Sequence, residues 1–170
     1  MADYQKLIDA ETWAFIEKTN SHYPPDTATY GVEDQRRIYD EMCAAFRVDY
    51  PVGVSAKDRD YGGVPCRHYT VGGGDVVVMY YHGGGFVVGG LESHDSICAE
   101  ICAQTGFEVV AVDYALSPEH PFPADFEDAV AAARAAPSQA DAGPFVADAE
   151  LFGGPATASF VLSGVLAVAG

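Results

Sequence analysis

Positive charge is what this chain has least of. It carries 9 Lys and Arg against 25 Asp and Glu in 170 residues, a formal net charge of −16. Such a surface repels phosphate backbones and anionic membrane faces, so nucleic acid is not an expected partner. Cysteine is scarce and scattered, at Cys43, Cys66, Cys98 and Cys102, which gives no disulfide framework. Cys98 and Cys102 stand i, i+4 on an expected helix and could form a metal pair, but neither Cys43 nor Cys66 lies at a ligand-like spacing from them. Buried free thiols are the commoner outcome, so no metal and no cofactor are expected. The uncharged, largely apolar stretch Pro155–Gly170 is shorter than the about 20 residues of a membrane span. Met1-Ala2-Asp3-Tyr4 is acidic and polar, without the basic and apolar leader of a signal peptide, and a cytoplasmic protein is the expectation. Low-complexity tracts are absent as well. With 49% hydrophobic and 12% aromatic residues, the chain reads as globular, long enough for one domain with its own core.

What stands out against these absences is one stretch. Val76-Val77-Val78-Met79 is an apolar β-forming run, and Tyr80-Tyr81-His82-Gly83-Gly84-Gly85-Phe86-Val87-Val88-Gly89-Gly90 comes directly after it. A buried strand that stops at a glycine cluster marks a sharp turn or a close approach to a ligand. Adjacent glycines leave their N–H groups unshielded, so Gly83, Gly84 and Gly85 can converge on one oxygen and stabilise negative charge developing there. The plainer alternative is an ordinary glycine turn. His82 is expected to shape the loop through a hydrogen bond and not to act as a base.

Two amphipathic helices are expected first, over Asp3 to Thr19 and over about Glu33 to Phe46. The second places Ile38, Met42, Ala45 and Phe46 on one stripe, with Arg36, Arg37, Asp40 and Glu41 opposite. Strands are expected at Lys57–Tyr61, Cys66–Thr70, Val76–Tyr81 and Phe107–Asp113, with a helix over Asp95–Gln104 closed by Gly106 and another over Asp125–Ala135. A fifth strand falls within Phe145–Gly153, around Glu150-Leu151-Phe152, and an apolar helix is expected after Gly153-Gly154. Unbroken apolar strands alternating with helices indicate an α/β fold, its sheet mostly parallel and covered on both faces.

The spacing of His82-Gly83-Gly84-Gly85-Phe86, Gly89-Gly90, Ser93-His94-Asp95, Val112-Asp113-Tyr114, Ser117-Pro118-Glu119-His120-Pro121-Phe122-Pro123-Ala124 and Glu127-Asp128-Ala129 resembles that of the hormone-sensitive-lipase-like carboxylesterases. These are α/β-hydrolases. The resemblance implies residues 1–50 as an N-terminal helical cap segment and residues 51–170 as a partial, incomplete α/β-hydrolase core. It implies an oxyanion hole at His82, Gly83, Gly84 and Gly85, and a small-molecule acyl ester as partner. A nucleophile elbow of this family reads Gly-x-Ser-x-Gly, and no window here fits it. Aligned on Gly154, the nucleophile position is Ala156, whose methyl cannot attack a carbonyl, and Thr157 and Ser159 are weak substitutes. No triad acid or base is identifiable: His22, His68, His94 and His120 read as loop or surface residues, with His94 at a helix start, and Asp113 reads as structural. Ala115 stands where the family commonly has arginine. The chain is short for this family and leaves Ala156 to Gly170 uncovered, so a second chain or self-association through that segment is expected. The alternatives are a non-catalytic ligand-binding pseudoenzyme and an inactive fragment.

Overall fold

The computed structural model describes residues 7–74 and 76–136, together with the strands Val146–Asp148 and Val165–Ala169. Chain order is α1 Ala10–Asn20, α2 Val32–Ala44, β1 Ser55–Tyr61, β2 Val64–Thr70, β3 Val76–Tyr81, α3 Asp95–Thr105, β4 Glu108–Val112, α4 Ala124–Ala135, β5 Val146–Asp148 and β6 Val165–Ala169.

Helix α1 begins at Ala10, later than the sequence pattern suggests, because Asp9 caps it: the Thr12 N–H donates to the Asp9 carboxylate at 2.7 Å, which supplies one of the acceptors that the first turn lacks. The end of α2 is joined to α1 by the Phe15 and Phe46 rings, 5.0 Å apart, and by Lys18, whose ammonium donates to the Ala45 carbonyl at 2.8 Å and lies over the Phe46 ring. Ile38 is the buried anchor of α2. Arg36 does not lie on the solvent face where its helical position puts it; it turns towards the sheet domain and is half-buried.

The six strands among the described residues form one sheet in the order β1-β2-β4-β3-β6-β5. The parallel pair expected from the strand, helix, strand pattern is β3 with β4, in register Val78↔Val109 and Tyr81↔Val112. The other neighbours are antiparallel, so the sheet is mixed and not mostly parallel. The cause at β1–β2 is local. Gly62 and Gly63, both at positive φ, turn the chain in two residues, and a turn that short can lead only into an antiparallel hairpin. Gly62 also cannot carry a side chain here, since a Cβ would stand 2.7 Å from the Ala131 carbonyl oxygen of α4.

The two faces have separate cores. Val77, Met79, Tyr81, Val110 and Val112 pack with Ala129 and Ala132 of α4. Val78, Val109, Ala111 and Tyr69 pack with Cys98, Ala99 and Cys102 of α3. Each buried Val or Met contributes roughly 1.5–3 kcal/mol, and burial on both faces explains why these strands are apolar throughout. Cys98 and Cys102 are fully buried free thiols, and burial pushes the Cys98 thiol up to about 12.

Strand β6 corrects an expectation. The segment after Gly153-Gly154 reads as an apolar helix, yet Val165–Ala169 is a strand antiparallel to β3. An open β3 edge presents unpaired backbone groups, and an uncharged valine-rich segment can satisfy them. The strand expected within Phe145–Gly153 is Val146–Asp148. Glu150-Leu151-Phe152, Ala156, Thr157 and Ser159 lie outside the described residues.

Candidate active site

Because β3 and β4 are parallel and paired to their ends, the loops that leave them emerge side by side at the carboxyl edge of the sheet, where α/β folds place their ligands. After β3 comes His82-Gly83-Gly84-Gly85; after β4 comes Asp113-Tyr114. His82 is 3% exposed. Its ring stacks on Tyr114 at 4.3 Å, and the Tyr114 hydroxyl donates to the His82 carbonyl at 2.6 Å. The His82 Nδ1 lies 2.9 Å from the Gly83 carbonyl oxygen. A carbonyl only accepts, so Nδ1 carries the proton and Nε2 is the bare nitrogen. Nε2 is buried and has no hydrogen-bond partner among the described residues. Burial pushes the His82 pKa down, against the raising influence of the Gly83 carbonyl and Asp113. The His82 ring is thus bonded to its own loop through Nδ1, with Nε2 enclosed.

The glycines are required by the loop's path. Gly84 and Gly85 have φ of 130° and 60°, and a Cβ on Gly84 would collide with the Val88 carbonyl. Phe86 is left-handed too, at φ 63°, a conformation costing a non-glycine residue roughly 1–2 kcal/mol. Its carbonyl is held by the Ser117 N–H at 2.8 Å. Gly89 lets the chain return against the loop, since a Cβ there would come within 2.5 Å of His82 Nδ1. The N–H groups of Gly83, Gly84 and Gly85 donate to no protein acceptor among the described residues. Gly83 and Gly84 are half-buried and Gly85 is exposed.

Around this loop stand groups to which the sequence pattern assigned no part. Arg36 reaches it from α2, donating to the carbonyls of Val87 at 2.7 Å and Ser117 at 3.0 Å and pairing with Glu119. His94 directly precedes α3 as expected, but it is half-buried, with its ring 5.7 Å from that of His82; burial, with His82 beside it, pushes its pKa down to about 4. Burial pushes the Asp113 carboxyl up. The backbone N–H of Ala115 donates to Asp128 at 2.9 Å. His68 is neither a loop nor a surface residue: it sits in β2, half-buried, between the Tyr61 hydroxyl and Glu108, each at 2.8 Å. Asp95 is a buried hub, accepting from Tyr50 at 2.7 Å, Tyr69 at 2.8 Å and Arg67 at 3.0 Å. No group of three or more His, Cys, Asp and Glu able to hold a metal occurs among the described residues.

A helix-flanked sheet with an open glycine loop at its carboxyl edge defines a class of α/β protein. Comparison with known proteins gives the family within it. The family described as alpha/beta hydrolase fold matches residues 78–163. The carboxylic ester hydrolase LipN of Mycobacterium tuberculosis is 45% identical over 42% of this chain and 19% of its own length. An acetyl esterase of Salmonella typhi is 32% identical over 73% of this chain and 40% of its own. Among solved structures, an esterase of the bacterial hormone-sensitive lipase family superposes with a TM-score of 0.65 at 30% identity, covering 79% of this chain and 43% of that one. The chain belongs to the α/β-hydrolase fold family, in its hormone-sensitive-lipase-like branch. It spans less than half the length of these relatives.

Proposed function

We propose that this chain carries the oxyanion-binding part of a carboxylic ester hydrolase of the serine type, acting on short acyl esters. The observation that carries the reading is the set of N–H groups at Gly83, Gly84 and Gly85 that have no acceptor among the described residues, placed at the carboxyl edge of the sheet. Such donors cost no reorganisation when charge develops on a tetrahedral intermediate, and each is worth about 3 kcal/mol of barrier in acyl transfer. His82 and Tyr114 hold the loop in shape, and residues 1–50 serve as a cap segment through the approach of α2. The hydrolase reading needs a nucleophilic hydroxyl that Ala156 does not supply, so Thr157, Ser159 or a group from a further segment has to provide it. Ala156 at that position favours a second reading, a protein that binds acyl ligands without turning them over.

The experiment combines p-nitrophenyl acetate and butyrate turnover with thermal stabilisation by butyrate. The hydrolase reading predicts stabilisation of the chain by butyrate and turnover once the segment bearing the nucleophilic hydroxyl is present, with that turnover lost in Gly84→Ala. Stabilisation without turnover even then supports the binding protein. Absence of both overturns the acyl-oxygen reading altogether.

A further inference from the structure

We propose that Arg36 of α2 is a positioning residue for the glycine loop, setting the direction of the Gly85 N–H through three linked peptide planes. The Val87 carbonyl and the Val88 N–H belong to one peptide plane. Arg36 Nε donates to that carbonyl at 2.7 Å, and the N–H at the other end donates to the Gly84 carbonyl at 3.1 Å. The preceding plane, between Phe86 and Val87, is held likewise. Its carbonyl accepts from the Ser117 N–H at 2.8 Å, and its N–H also donates to the Gly84 carbonyl at 3.1 Å. Two anchored planes therefore converge on one oxygen. That oxygen shares a trans peptide plane with the Gly85 N–H, which must point the opposite way.

Arg36 sits at the outer end of this chain and is itself fixed. Glu119 binds it with both carboxylate oxygens, at 3.0 Å and 2.7 Å, and Nη2 donates to the Ser117 carbonyl at 3.0 Å. A planar guanidinium spreads these four hydrogen bonds over three nitrogens in a fixed fork, whereas an ammonium has three donors on a single nitrogen and cannot reproduce that geometry. A charge-assisted bond to the Val87 carbonyl also polarises that peptide and strengthens the N–H bond at its far end. Gly84 and Gly85 have the weakest intrinsic preference of any residue for one conformation, so a loop built from them needs its direction imposed from outside. That the aimed amide meets an acyl oxygen rests on the proposed function; that Arg36 aims it does not.

Amide hydrogen exchange on the ¹⁵N-labelled chain tests this, in the wild type, Arg36→Ala, Arg36→Lys and Glu119→Gln. Arg36→Ala is expected to speed exchange at Val87, Val88 and Ser117 by about tenfold or more, as loss of a charge-assisted hydrogen bond implies. Strand amides of β3 and β4 keep their rates, and the Gly85 amide resonance moves while that of Gly106 does not. Arg36→Lys fails to restore the loop rates, and Glu119→Gln, which retains both carbonyl contacts, changes them far less than Arg36→Ala does. Unchanged rates at Val87 and Val88, or acceleration shared evenly with β3 and β4, would overturn the proposal. If butyrate has no effect on the wild type while Arg36→Ala still loosens the loop, the acyl-oxygen reading falls and the positioning role stands.

Discussion

His94 is the residue whose charge the fold constrains most tightly near the site. Its folded pKa of about 4 lies below the ordinary value of 6.5, because the ring is buried and faces His82. The unfolded chain therefore binds a proton that the folded one refuses. The stability this represents is fully present above pH 6.5 and is lost as pH falls towards 4. His82, also pushed down, acts in the same direction; Asp113, pushed up by burial, acts oppositely. The melting temperature is expected to fall between pH 6.5 and 4, and His94→Gln, which leaves His82 and Asp113 in place, to flatten that fall; an unaltered slope would contradict the assignment. At this scale the glycines were legible in the sequence, because three in succession after an apolar strand have few uses. Arg36 was not. On a helical wheel it groups with Arg37, Asp40 and Glu41, and its partners are carbonyls of Val87 and Ser117 that no pattern in α2 reveals. His68 was hidden in the same way, since its partner Glu108 comes from β4.

Among the elements, α3 is tied down by its first residue. Asp95 is buried; burial alone would raise its pKa, but Tyr50, Tyr69 and Arg67 hold it below the usual carboxylate range. It thus joins α3, β2 and the segment leading into β1 through one carboxylate. Asp95→Asn is expected to cost roughly 2 kcal/mol in urea unfolding, the penalty for weakening a buried charged acceptor with three donors. Asp58→Asn, which touches the same Arg67 from an exposed position, costs no more than about 1 kcal/mol; equal costs would show that Asp95 is not the hub. Strands β3 and β4 and helices α3 and α4 were readable because their apolar patterns admit one solution and Gly106 closes α3 at φ 72°. The segment Val165–Ala169 was not, since Val-Leu-Ala-Val-Ala suits a buried helix and a buried strand alike. What decides is the open edge of β3, a tertiary fact.

For the whole molecule, the fold brings the ends of two parallel strands together and sets the main chain of Gly83 to Gly85 at the carboxyl edge of the sheet; under the proposed function these amides, and not charged side chains, meet the ligand. An α/β architecture was legible from strand and helix alternation, while its mixed sheet came from turns such as Gly62-Gly63. With a net charge of −16, the long-range field disfavours anions; binding of one at this edge therefore has to come from local amides. The most direct measurement is the position of the Gly83, Gly84 and Gly85 amide resonances during titration with butyrate, in the wild type and in Gly84→Ala. The account predicts saturable downfield shifts at these three amides in the wild type, with strand resonances still, and their loss in the variant. Resonances at Gly83 to Gly85 that stay fixed at saturating butyrate, or shifts that Gly84→Ala leaves untouched, would contradict it.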